Sequence, residues 1–273
     1  MTTIEFLHSK FKIIDGPDPS KSHCKILINE EFGEKRFLKY PRDNSLESFK
    51  ELIREWIPSK LHQSLGTFSQ DPAIKNIGGK LGLILLYCDT NWNQKINNPE
   101  LIIVNENEFA LAFVCDFLIG QNDRPIGKPE HVGLKLLDDG KHRLILLDNG
   151  NWDPSQPDSY LEKPFIDSLF FANQPFTRPQ LEEAVAMTRQ KFYPSILMDE
   201  AARELLSESF WSIEQRELIL RYCNQQIAPY LIKRIEKLDL LLQWYDETHA
   251  PEQIPQVPEI NQIPEINQPV AAA

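Results

Sequence analysis

Two acidic residues bracket the stretch FLIGQNDRPIGKPEHVGLKLLDDGKHRLILLDNGNWDP, residues 117–154. Asp123 lies in the polar loop QNDRPIGKPE, and Asp148 ends the apolar run LILLDNG. A carboxylate in such a loop can orient a hydroxyl or accept its proton, and one at the end of a buried strand can hold a divalent cation. Together they supply what phosphoryl transfer needs, because that chemistry runs mainly on positioning and charge neutralisation. Each has a plainer reading. An aspartate after a helix suits an Asx turn, with Arg124 as its ion-pair partner, and Asp-Asn-Gly is a turn sequence in its own right.

A phosphate-handling site also needs a cation, and a lysine on a strand is steadied by a glutamate on a neighbouring helix. Lys39 falls late in a strand-like segment, RFLKYP, and Glu55 follows on the helix-like ELIREWIPSKL. Alone, such a lysine is ordinarily solvated and such a glutamate makes only local ion pairs along its helix.

The elements that would position these groups follow from periodicity. Residues 24–40, CKILINEEFGEKRFLKY, alternate apolar and polar about a turn-prone centre, which predicts a β-hairpin. DNSLESFKELIREWIPSKLHQSLG has a capping Asn44 or Ser45 and carries Leu46, Phe49, Leu52, Ile53 and Trp56 at helical spacing. It ends near Gly66, and Pro58 either kinks it or starts its second half. LGLILLYCDT reads as a buried strand bridging two lobes. NENEFALAFVCDFLIG reads as a helix ended by Gly120. HVGLKLL and HRLILLD flank DDGK, which predicts a hairpin closed by a type I′ turn. Helical segments follow: RPQLEEAVAMTRQ, DEAARELL, SIEQRELILRYC and APYLIKRIEKLDLLLQWYDE. The last is read as one helix with Leu231, Ile235, Leu238, Leu242 and Trp244 as its stripe. The end, PEQIPQVPEINQIPEINQPVAAA, contains a near-repeat and is rich in proline, which predicts an extended, disordered tail.

Composition bounds the partners. The 273 residues are 41% hydrophobic and carry 40 acidic against 29 basic side chains, a formal charge of −11. A chain this long buries a sizeable core, and its acidity offers no general attraction for nucleic acid or an anionic membrane, so neither is expected as a partner. MTTIEFLHSKFKIIDG has no cationic segment leading into an apolar run, and no apolar stretch is long enough to span a bilayer, so a cytoplasmic location is expected. Cys24, Cys88, Cys115 and Cys223 are scattered without Cys-x-x-Cys spacing, which suggests reduced core thiols rather than a disulfide frame or a zinc site.

In order, RFLKYP, REWIPSKLHQSLG, DFLIGQNDRPIGKPE and LILLDNG resemble the HipA-like and phosphatidylinositol 3/4-kinase-like branch of the protein-kinase-like superfamily, over roughly residues 10–245. The resemblance implies an α+β, two-lobed fold. A small β-rich lobe with one helix would span residues 1–90, a mainly helical lobe 91–248, and the proline-rich tail 249–273. It implies ATP and Mg²⁺ as cofactors, with Lys39 and Glu55 holding nucleotide, Asp123 as the catalytic aspartate and Asp148 as the metal ligand. A protein Ser or Thr hydroxyl is the expected acceptor. The family loop has His two residues and Asn five residues after the catalytic aspartate, where this chain has Pro125 and Lys128. An ammonium cannot ligate a metal, although it can neutralise phosphate. Three outcomes stay open: one metal with Lys128 replacing the other, Glu130 as a substitute ligand, or nucleotide binding without transfer. A glycine-rich phosphate loop is also missing, since IDGPDPSKSH offers Gly16 with Ser20 and Ser22. The alternatives are a pseudokinase-type scaffold that binds a protein partner, and a helical regulatory protein in which the acidic pair is incidental.

Overall fold

The computed structural model describes residues 3–6, 9–16, 23–43, 45–66, 70–77, 79–88, 90–105, 108–120, 131–147, 152, 154, 176–207 and 212–249. The amino-terminal part is a six-stranded antiparallel sheet ordered β1-β2-β3-β4-β6-β5. Its strands are β1 (Thr3–Phe6), β2 (Ser9–Asp15), β3 (Cys24–Asn29), β4 (Lys35–Lys39), β5 (Ala73–Ile77) and β6 (Lys80–Leu86). Between β4 and β5 runs one helix, α1 (Leu46–Ser64).

The sheet has two apolar faces, which explains why β6 reads as an unbroken apolar run instead of alternating. Leu81, Leu83 and Leu85 join the main core with Phe37 and α1, while Ile84 packs with Phe11, Leu27 and Leu38 in a smaller cluster on the other face. In β4 the alternation therefore puts Leu38 on one side and Phe37 and Lys39 on the side facing α1.

α1 begins where sequence says it should. The Ser45 hydroxyl accepts from the Ser48 amide at 3.2 Å, and Asp43 accepts from the Ser45 amide and the Ser48 hydroxyl, both at 2.8 Å. Hydrogen bonds from the Ser45 hydroxyl, the Ser48 hydroxyl and the Ser45 amide hold the Asp43 carboxyl below its usual value. Pro58 neither ends the helix nor begins another: α1 runs through it. The helix is buried from Phe49 to Leu61 because it lies between the sheet and the helical part, against α3 (Phe109–Ile119) and α5 (Pro194–Ser207).

All residues of α3 are buried, the expected state of a helix apolar all round. A second sheet of three strands, β7 (Thr90–Asn91), β8 (Val132–Leu136) and β9 (His142–Leu146), lies beside it, with the short α2 (Trp92–Asn97) after β7. The helical part is completed by α4 (Arg178–Lys191), α6 (Ile213–Tyr222), α7 (Ala228–Glu236) and α8 (Asp239–His249). This is the α+β, two-lobed arrangement expected from the sequence.

Two local expectations are corrected. The DDGK turn is not type I′. Gly140 alone takes the left-handed conformation, at φ 79°, while its amide donates to Leu137 O at 3.0 Å and the Leu137 amide donates to Lys141 O at 2.8 Å. That is a three-residue loop, a type I turn followed by a glycine bulge, which asks for positive φ at one position only. The segment 228–247 is two helices, because tight bonds from the Lys237 amide to Arg234 O and from Leu238 to Ile235 O turn the chain between them. The break lets α8 fold back along α4, and it adds Leu241, fully buried, to the predicted stripe. A π-helical turn, Cys223–Ile227, precedes α7. Pro229 has no amide to donate and crowds the carbonyl four residues back, and the wider turn relieves that conflict.

Candidate active site

Lys39 and Glu55 meet. From the last residue of β4, Lys39 Nζ reaches across the face of the sheet to both carboxylate oxygens of Glu55 on α1, each at 2.6 Å. Glu55 is 5% exposed, so its charge sits out of water and is matched by the ammonium. Lys39 Nζ also lies 5.6 Å from the centre of the Phe37 ring. The pair fixes a single cation at the edge of the inner sheet face.

The helix that carries Glu55 is held by the helical part. Lys60 Nζ pairs with Glu204 Oε2 on α5 at 2.7 Å, and Lys50 lies over the Tyr222 ring of α6 at 5.2 Å. The indole of Trp152 donates to the backbone carbonyl of Arg54, one residue before Glu55, at 2.6 Å.

Asp123, Lys128, Glu130 and Asp148 lie outside the described residues, as do Pro125, Ser20 and Ser22. Their sequence neighbours are placed. Leu147, next to Asp148, donates its amide to His131 O at 2.9 Å. β9 is locked to the start of α3 by the Asn105 side chain, which accepts from the Leu144 amide at 2.9 Å and donates to Leu144 O at 3.2 Å. β8 is held to the chain leaving β6: the Thr90 hydroxyl donates to Leu134 O at 2.8 Å, and a Cβ on Gly133 would come within 2.8 Å of Cys88 Sγ. Gly120, three residues before Asp123, ends α3 in the left-handed conformation, φ 68°. Its last turn is held from α7, where Arg234 donates to Phe117 O at 2.5 Å and the Tyr230 hydroxyl donates to Ile119 O at 3.3 Å. Gly16, the one glycine of the short candidate phosphate loop, lies between β2 and β3, and a Cβ there would come within 2.8 Å of Cys24 O.

Sequence reading missed Trp152, Tyr230 and Arg234. Arg234 left a signal: it sits three residues after Leu231 on the apolar stripe of its helix, where a charged residue has to have a structural task. It is fully buried, with its guanidinium 4.7 Å from the centre of the Tyr230 ring. Trp152 left no signal, because its acceptor is 98 residues away in the chain. Among the described residues there is no cluster of three His, Cys, Asp or Glu side chains suited to a metal, and no helix is long and apolar enough to cross a membrane.

No protein-family description and no curated protein matches the chain. Among solved structures, it is similar to the Helicobacter pylori proinflammatory kinase CtkA, with a TM-score of 0.51 and 15% identity, over 92% of this chain and 100% of the other. At that identity the likeness is one of fold: this chain has a kinase-like, two-lobed fold.

Proposed function

We propose that the chain is an ATP- and Mg²⁺-dependent phosphotransferase of the HipA-like kind, acting in the cytoplasm on a protein Ser or Thr hydroxyl. The carrying observation is the part-buried Lys39–Glu55 pair, joining strand to helix at 2.6 Å. An ammonium held in this way is suited to the α and β phosphates, and the donor set fits a nucleotide at that point. When bound, Mg²⁺–ATP would supply the transferable phosphoryl group and positive charge to offset its oxygens. Lys39 neutralises phosphate oxygens, and Glu55 keeps Lys39 extended toward them. Asp148 would hold the cation, and Asp123 would orient the acceptor hydroxyl and take its proton. Lys128 replaces a second metal as a compact positive charge, with Glu130 as a further carboxylate for the first. Residues 1–90 form the nucleotide lobe, 91–248 the catalytic lobe, and 249–273 a tether.

The second reading is a pseudokinase scaffold that binds nucleotide and a protein partner without transfer, and Pro125 and Lys128 favour it. The deciding experiment incubates the protein with labelled ATP and Mg²⁺ or Mn²⁺, wild type against Asp123→Ala. Label transfer or hydrolysis that the substitution abolishes supports the enzyme. Equal signals in the two proteins count against it, and nucleotide binding without turnover leaves the scaffold.

A further inference from the structure

In an α-helix the carbonyl of residue 54 accepts from the amide of residue 58. Here residue 58 is proline, which has no amide hydrogen and crowds that carbonyl, yet α1 continues through it. The Arg54 carbonyl, one residue before Glu55, takes its hydrogen bond from Trp152 Nε1 at 2.6 Å. Trp152 is 4% exposed, and its ring lies 5.6 Å from that of Tyr230, whose hydroxyl donates to Ile119 O at the end of α3. One indole thus touches the helix of Glu55 and the residue that fixes the helix leading to Asp123. It also stands four residues after Asp148 in the sequence.

We propose that Trp152 is a positioning residue for the Lys39–Glu55 pair of the nucleotide site: Pro58 strips the Arg54 carbonyl of its helical donor, and the Trp152 N–H takes that place, clasping the Glu55 helix to Tyr230 of α7. The inference rests on the nucleotide reading above. It gives Pro58 a task. A proline in the middle of a buried helix costs about 3 kcal/mol relative to alanine, and here the cost leaves an acceptor facing the other lobe, beside the residue that orients Lys39.

The test compares wild type, Trp152→Phe, Pro58→Ala and the double variant, using thermal melts and titration with Mg²⁺–ATP. Trp152→Phe keeps a ring against Tyr230 and removes the donor. It is expected to melt earlier and to bind Mg²⁺–ATP about tenfold more weakly, the size of one buried hydrogen bond. In the double variant the amide that Pro58→Ala restores satisfies the Arg54 carbonyl, so the melting temperature recovers while Mg²⁺–ATP affinity stays low. Pro58→Ala alone melts higher and binds Mg²⁺–ATP a few-fold more weakly, about threefold, as the new amide competes with the indole. Recovery of Mg²⁺–ATP affinity together with stability in the double variant would reduce Trp152 to a filler of a backbone acceptor and overturn the inference. So would wild-type affinity in Trp152→Phe, or in Pro58→Ala should the phenylalanine variant fail to fold. A wild type that binds no Mg²⁺–ATP sinks the nucleotide reading itself, and this inference with it.

Discussion

Lys39 Nζ stands 2.6 Å from each carboxylate oxygen of Glu55, on a helix whose far side is tied by Lys60 to Glu204 of α5. The ion pair therefore joins the sheet to a helix that the carboxy-terminal part already holds. Removing Lys39 takes the ammonium from the Glu55 carboxylate, whose side chain is 7% exposed, which costs about 3 kcal/mol. Lys39→Met and Glu55→Gln are each expected to lower the urea midpoint substantially. The double variant should lose less than the sum of the two, because each single variant already removes their mutual attraction. Additive losses would show that the two side chains are energetically independent despite their contact. Lys39→Met is also expected to abolish any ATP-induced rise in melting temperature, by removing the phosphate cation of the proposed site.

Gly120 closes α3 at φ 68°, and a Cβ there would collide with the Tyr230 hydroxyl. Gly120→Ala meets both obstacles at once and is expected to cost about 2 kcal/mol, of which about 1 kcal/mol is backbone strain. Tyr230→Phe removes the colliding oxygen. In that background the alanine should cost the backbone part and the smaller contact with the Arg234 guanidinium, read as the difference in urea midpoint between the paired variants. A full cost in both backgrounds would place the effect in the backbone and the Arg234 guanidinium, and none in the Tyr230 hydroxyl.

The parts of this arrangement that sequence foresaw are those with local causes. The alternation in CKILINEEFGEKRFLKY, the Ser45 cap and the apolar faces of α1 and α3 are set by neighbours a few residues apart, and so Lys39 and Glu55 could be assigned to a strand and a helix that must pack. The rest depended on distant groups. Pro58 could be read as a kink or a start because sequence does not show that an indole 98 residues from Arg54 supplies the missing donor. The helix after Pro229 was read as continuous because its stripe persists through Lys237 and Leu238. Its break is favoured by what α8 gains on folding back, including Trp244 against Phe117 with ring centres 5.9 Å apart. β1 and β2 were not foreseen, although β2 pairs with β3 along its length. Of the acidic pair, only the flanking chain is placed, so Asp123 and Asp148 remain proposals that the nucleotide titrations decide.

α4 and α8 are joined near both ends of their contact by arginine–carboxylate pairs. Arg189 donates to Asp239 at 2.8 and 3.0 Å, and Arg178 donates to Asp246 at 2.6 and 3.0 Å and also binds Glu182. Hydrogen bonds from the guanidinium, with its charge, hold Asp239 and Asp246 below the ordinary carboxylate value of 3.8. A depressed folded value means the stabilisation is present above the unfolded value and is lost as pH falls through the folded one. The window is therefore acidic, from about pH 4 downward. Asp239→Asn with Asp246→Asn should flatten the fall in urea midpoint between pH 5 and pH 3, and 1 M salt should shrink the wild-type effect because the pairs are exposed. An unchanged acid limb in the double variant would assign acid sensitivity to other carboxylates.

Cys223 opens the π-helical turn that leads into α7, and burial pushes its thiol up to about 12. A thiol of that kind holds almost no thiolate at pH 8 and should resist modification, as should the buried Cys24 and Cys115, leaving the half-buried Cys88 as the native-state target. Ellman's reagent at pH 8 is expected to titrate one thiol quickly in the folded protein and all four in guanidinium. The same shift has an alkaline consequence. The folded value lies above the ordinary 9.0, so the stabilisation is complete below pH 9 and declines as pH rises toward 12, when the unfolded chain gains a thiolate that the fold excludes. Cys223→Ala removes that titration and should lessen the fall in melting temperature between pH 8.5 and 10.5, at the cost of a small cavity at all pH values. Fast labelling of Cys223 in the native state, followed by mass spectrometry of the modified peptide, would show instead that the turn before α7 opens readily. In that case the Tyr230 and Arg234 contacts to the end of α3 would be the part of the fold that moves.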